Sequence, residues 1–122
     1  MHVVRHDEAS EYQAPGHAAM SMRRLQGRDA GPSDSVWLGL SVIEPGGGTE
    51  LDASPLEKFY VVLEGELEVT ARLGETTSTV TLRPMDSCRI APSEARQLLN
   101  RGLQPAKVLL VMPQLKEGRD KP

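Results

Sequence analysis

Aromatic residues are scarce: one tryptophan, one phenylalanine and two tyrosines in 122 residues. So few rings (Trp37, Phe59, Tyr12, Tyr60) cannot build a base-stacking platform for single-stranded nucleic acid. Basic clusters are equally rare. Arg23 and Arg24 form the only basic doublet, and the net charge is −3, so no basic stripe awaits a phosphate backbone. The single cysteine, Cys88, excludes an internal disulfide. The three histidines (His2, His6, His17) all lie near the start, away from Cys88, which leaves no cluster for a structural zinc. Long apolar runs are missing too. The longest, 59–63 and 108–112, fall far short of the ~18 residues that cross a bilayer as a helix. The early acids Asp7, Glu8 and Glu11, with no apolar stretch after them, do not fit a secretory or transit segment. The expectation is a cytoplasmic domain with no nucleic-acid and no membrane partner.

Hydrophobic residues make up 39% and charged residues 25%, enough for one core in one domain spanning 1–122. Glycine (11) and proline (9) recur between short apolar runs, a punctuation of strands rather than helices. Segment 58–64 is rich in β-branched and aromatic residues. Segment 66–72 alternates, with Leu67, Val69 and Ala71 on one face and Glu66, Glu68 and Thr70 on the other. Glu64-Gly65 between them reads as a tight turn, which would pair the two as a hairpin. A second reversal near 73–78 leads into a strand at 79–82. Further strands are expected at 20–25, 36–43, 87–90, 96–99 and 107–112. Residues 44–48, Glu-Pro-Gly-Gly-Gly, read as a loop, since proline lacks a donor and glycine is costly to order. Residues 28–35 read as a polar loop, and 114–122 as a frayed tail. Regular short strands make the fold class all-β, a sandwich or barrel.

The stretch from Pro45-Gly46 to Glu64-Gly65-Glu66-Leu67 resembles the first motif of the cupin superfamily, G-x5-H-x-H-x3-E-x6-G, with Gly46 and Gly65 at its two glycines. The second motif, G-x5-P-x-G-x2-H-x3-N, falls on Met85 to Asn100, with Asn100 at its asparagine. The resemblance implies a double-stranded β-helix (jelly-roll) barrel with an internal pocket, with its core at 36–112 after an N-terminal arm and early strand at 1–35. It also implies a homodimer. Cupins that bind a transition metal hold it with the motif histidines and glutamate. Here Asp52 and Ser54 stand at the first two histidines, Lys58 at the glutamate and Arg96 at the second-motif histidine. Lysine and arginine offer no lone pair at neutral pH, so no metal and no cofactor are expected.

Two readings of this substituted site stay open. In one, Lys58 and Arg96 bind a small anionic molecule, a carboxylate or a phosphorylated sugar, with Asp52, Ser54 and Tyr60 completing the ligand site. Tyr60 shares a strand face with Lys58. In the other, Asp52 pairs with Lys58 or Arg96 and an internal salt bridge closes the pocket. An enzyme of the metal-independent isomerase, epimerase or lyase type is the alternative function, with Lys58 or Tyr60 as acid or base. Against it, no histidine maps to the pocket. A metal-dependent dioxygenase or isomerase with atypical ligands is a further alternative. His17 reads as a loop residue unless the N-terminal segment folds over the barrel mouth. Cys88 reads as a buried, inert thiol, and Asn100 as structural. Trp37 reads as a pocket cap, a dimer contact or core. Glu57, Glu64, Glu66 and Glu68 read as a solvated face.

Overall fold

The structure is a computed structural model, and it describes residues 1–114. Among the described residues there are ten strands: β1 (Ser10–Tyr12), β2 (His17–Gln26), β3 (Val36–Thr49), β4 (Asp52–Ala53), β5 (Lys58–Glu64), β6 (Leu67–Leu73), β7 (Thr76–Leu82), β8 (Ser87–Ile90), β9 (Ala95–Leu99) and β10 (Ala106–Pro113). Two single 3-10 turns, at His6–Glu8 and Arg28–Ala30, are the helical elements among the described residues. None of the helices there is long and apolar enough to cross a membrane. The fold is the expected all-β jelly-roll barrel. One sheet runs β7-β6-β9-β3-β10-β5-β8, with β1 and β2 added beside β3 and β4 beside β9. Every pairing is antiparallel.

The alternation of side chains fills this barrel. Val62 and Leu67 are fully buried, and Val69, Leu98 and Val108 join them in one core cluster with Ile43. Tyr60 belongs to the same cluster, at the edge where it gives way to polar groups. Asn100, wholly buried, ties the chain from within. Its Nδ2 donates to the carbonyls of Ile43 (2.9 Å) and Gln104 (2.8 Å), and its Oδ1 accepts from the Gly102 amide (2.9 Å). These bonds make Asn100 the structural residue that its position suggested.

Three expectations need correction. First, β5 and β6 do not form a hairpin. β5 pairs with β10 and β8, and β6 with β7 and β9, so Glu64-Gly65 carries the chain from one side of the barrel to the other. Gly65 is required there: its φ is +75°, and an added Cβ would stand 2.6 Å from the Pro105 carbonyl oxygen. The hairpin lies instead at β6–β7, where the register runs unbroken from Leu67↔Leu82 to Leu73↔Thr76. Second, residues 44–48 are not a loop but the second half of β3. The strand pairs with β10 up to Ile43, then bends and reaches β9 at Gly48↔Leu99. Glycine makes that crossing possible, because a Cβ on Gly48 would lie 2.0 Å from the Leu98 carbonyl oxygen. Ordering the glycines is offset by pairing to two neighbours. Third, Gln114 is anchored: its amide donates to the Ser35 carbonyl (2.8 Å) and its Nε2 to the Ser33 carbonyl (3.0 Å). The rest of the expected tail, 115–122, lies outside the described residues.

The positions matching the second-motif glycines, Met85 and Ser93, keep positive φ (+76° and +69°) although neither is glycine. The backbone shape persists there without the residue that makes it easy. The acids expected on a solvated face are at the surface but paired. Glu64 meets Lys107 (3.4 Å), Glu66 meets Arg83 (3.5 Å), Glu68 meets Arg101, and Glu57 meets Arg89. Exposed pairs of this kind contribute about 0–1 kcal/mol each.

Candidate functional site

Strand periodicity places the charged groups. On β5, Lys58 (7% exposed) and Tyr60 (4%) face inward while Phe59 faces out. On β9, Arg96 (7%) and Leu98 face inward in the same way. The two strands line a cavity of about 270 Å³ beside the core, so both cations project into one space. Ser54 also lines it. Its hydroxyl accepts from the Leu56 amide (3.0 Å) and shapes the turn before β5.

Arg96 donates through Nε to the Tyr60 hydroxyl (2.9 Å) and through Nη1 to the Glu50 carbonyl (3.3 Å). The Tyr60 hydroxyl thus accepts from protein and keeps its own hydrogen for a ligand. Burial raises the Tyr60 pKa, against the lowering effect of the Arg96 charge and hydrogen bond. The phenol is therefore neutral at physiological pH. Lys58 is pushed from 10.5 down to about 8, first by burial and second by the Arg96 charge, with Asp52 pulling the other way.

Asp52 lies opposite Arg96 in the β4–β9 register, yet its side chain is exposed. It lines a smaller recess at the mouth, about 140 Å³, together with Glu50, His17 and Arg96. Among the described residues no ion pair joins Asp52 to Lys58 or to Arg96. The internal salt bridge considered from sequence is thus not formed. The structure brings Lys58, Arg96, Tyr60 and Ser54 around one cavity and leaves Asp52 at the rim.

The reading of His17 also changes. His17 begins β2, pairs with Thr49 at the far end of β3, and lines both the cavity and the mouth recess. A histidine therefore does reach the pocket. Its Nδ1 donates to the Pro15 carbonyl (2.7 Å), because a carbonyl can only accept. The neutral ring then carries its lone pair on Nε2. Burial lowers the His17 pKa, and the charges of Arg96 and Lys58 lower it further, against the Pro15 hydrogen bond and Asp52. The sequence favours a loop there because this strand precedes both motifs; the turn-forming Ala14-Pro15-Gly16 is the signal for the other arrangement, with the N-terminal segment over the barrel mouth, which the structure adopts.

The residues at the cupin metal positions do not fit a divalent metal. Two are cations without a lone pair, and one carboxylate and one hydroxyl remain. No group of three or more His, Cys, Asp and Glu among the described residues is arranged to hold an ion. Cys88 is half-buried outside this cavity, and burial pushes its thiol up, away from nucleophilic character.

A cupin-domain family model matches residues 39–112. The chain is 41% identical over 112 residues to a beta-D-galactosidase of Mycobacterium tuberculosis, covering 92% of this chain and 93% of that one. Among solved structures, it superposes on the polyketide cyclase RemF from Streptomyces resistomycificus with a TM-score of 0.78 at 21% identity, covering 96% of this chain and 88% of the other. A sugar phosphate isomerase of the cupin superfamily from Silicibacter pomeroyi gives a TM-score of 0.71 at 24% identity, covering 89% and 73%.

Proposed function

Because the chain belongs to the cupin-domain family, we propose that its barrel binds a small anionic molecule, a carboxylate or a phosphorylated sugar, without a metal. One observation carries the reading. Lys58 and Arg96, each 7% exposed, face one cavity with no carboxylate paired to either among the described residues. Buried charge is costly unless compensated, and an anionic ligand supplies the compensation. Arg96 forks onto the anion, Lys58 adds a point charge, and Tyr60 and Ser54 add hydroxyls. Asp52 at the rim would repel an anion and belongs to the entrance.

A second reading, a metal-independent enzyme acting on a sugar derivative, is favoured by the placement of His17. Its unprotonated Nε2 suits a base, and the Tyr60 hydroxyl suits an acid. The 41%-identical relative described as a beta-D-galactosidase supports a sugar substrate. Glycoside hydrolysis commonly uses two carboxylates. Among the described residues no carboxylate lines the Lys58–Arg96 cavity, so Glu50 and Asp52 at the mouth are the pair available beside His17.

A thermal-shift panel separates the two. Organic acids and sugar phosphates are expected to raise the Tm, neutral galactosides are not, and a chelator leaves the effect unchanged. Stabilisation and turnover of a neutral β-galactoside, with no response to any anion, would favour the enzyme and overturn the anion pocket.

We also propose that a second copy of the chain covers the outer face of β5. Phe59 (41% exposed) and Leu63 (39%) lie there, on the face opposite Lys58 and Tyr60. Light scattering at micromolar concentration should report a dimer, and Phe59→Glu should yield a folded monomer. A monomeric wild type contradicts this.

A further inference from the structure

The end of the cavity away from Lys58 and Arg96 has its own chemistry. Along β2, His17 pairs with Thr49 and Arg24 with Gly39, so these two mark opposite ends of one wall, with Met20 and Met22 between them. At the Arg24 end, Tyr12 and Trp37 meet edge to face, with ring centroids 5.8 Å apart and an interplanar angle of 84°. The Arg24 guanidinium lies 4.2 Å from the Tyr12 ring centre and 5.2 Å from that of Trp37. Trp37 is 5% exposed, and all three residues line the cavity.

This cluster is fixed in place but not satisfied. Neither Trp37 Nε1 nor Arg24 Nε, both buried, donates to any acceptor among the described residues. Arg24 reaches Asp29 only through Nη1, at 3.4 Å. Folded proteins retain few buried donors without a partner. Two such donors at the same end of a ligand-sized cavity call for an acceptor that the described residues do not supply. The indole N–H can only donate, so the matching group must be an oxygen that accepts.

We propose that this end is a second subsite, and that the ligand is an elongated acid. Its anionic head sits at Arg96 and Lys58, its apolar middle lies against Met20, Met22 and Leu110, and a carbonyl or hydroxyl oxygen at its other end accepts from Trp37 Nε1 and Arg24 Nε. The orientation rests on the anion reading above; the acceptor subsite rests on the two unmet donors. The aromatic edges and the methionine row give the middle of the ligand a wall that adapts to its shape.

Trp37 is the only tryptophan, so its indole N–H gives a single signal in a ¹H–¹⁵N spectrum. The probes are straight-chain alkanoates from pentanoate to nonanoate, each matched with the oxo acid of the same length bearing a ketone next to the far terminus. For at least one length, the oxo acid should bind about five- to tenfold more tightly than its partner. Its binding should move the indole proton downfield, and the alkanoate should not. Trp37→Phe keeps a ring and should erase the preference, whatever it does to absolute affinity. Equal binding of the two series at every length, with the indole signal unmoved, would overturn the subsite and leave the anion reading standing. Failure of every acid to bind would overturn both. An indole proton already downfield before any acid is added would mean that the protein supplies its own acceptor, and would also overturn the proposal.

Discussion

Arg96→Met should weaken binding of any stabilising acid by about 10- to 100-fold, the effect of losing a charge-assisted fork. The substituted chain should still fold. The change removes the hydrogen bonds to Tyr60 and to the Glu50 carbonyl, which costs stability. It also removes the guanidinium that helps hold Lys58 below its ordinary pKa, which offsets part of that cost. Arg96→Lys should recover little of the affinity, because an ammonium keeps the charge without the planar fork. Isothermal calorimetry on the three proteins measures this directly. Unchanged affinity in Arg96→Met would remove the guanidinium from the site.

Lys58→Met should do two opposite things: raise stability and lower acid affinity. The unfolded chain holds the lysine proton up to about 10.5, whereas the folded chain releases it near 8. Between these values the unfolded state binds more protons, so stability rises with pH across that window. Below about pH 8 the full penalty is present. It is at most about 3 kcal/mol at pH 7. Methionine has a similar reach and no charge, so a melting temperature higher by roughly 5–10 °C is expected at pH 7, shrinking as the pH approaches 10. Affinity for an acid should fall at the same time, and in the wild type it should fall as pH rises through 8. A substitution that stabilises the fold while removing its ligand marks a residue kept for binding. Thermal melts at pH 7 and pH 10 read the first effect. A Lys58→Met protein that melts below the wild type at pH 7 would contradict it.

Much of this site was readable from strand periodicity. Once residues 58–64 are a strand, Lys58, Tyr60 and Val62 must share a face, and the same holds for Arg96, Leu98 and Asn100. Alternation does not say which strand lies next door. It therefore could not show that β5 and β6 part company at Gly65, or that the glycines after Pro45 continue β3 instead of ending it. Both depend on partners distant in sequence: Pro105 beside Gly65, and Leu98 and Leu99 beside Gly48. For the same reason alternation could not decide whether His17 stays in a loop or reaches the mouth, because its place at the cavity comes from pairing with Thr49, 32 positions along the chain. Asp52 shows the opposite limit. Its motif position suggested a pocket residue, but the short β4, although it pairs Asp52 with Arg96, leaves the carboxylate exposed at the barrel rim. The Tyr12–Arg24–Trp37 cluster joins three segments and left no local signal beyond a lone tryptophan.

The most direct measurement is the titration of the Lys58 amine by NMR, in free protein and in protein saturated with the best acid from the thermal-shift panel. A positive site awaiting an anion predicts a free pKa near 8 that climbs by one unit or more when the acid is bound. A lysine whose titration the bound acid leaves untouched would contradict the claim that the acid shares its cavity.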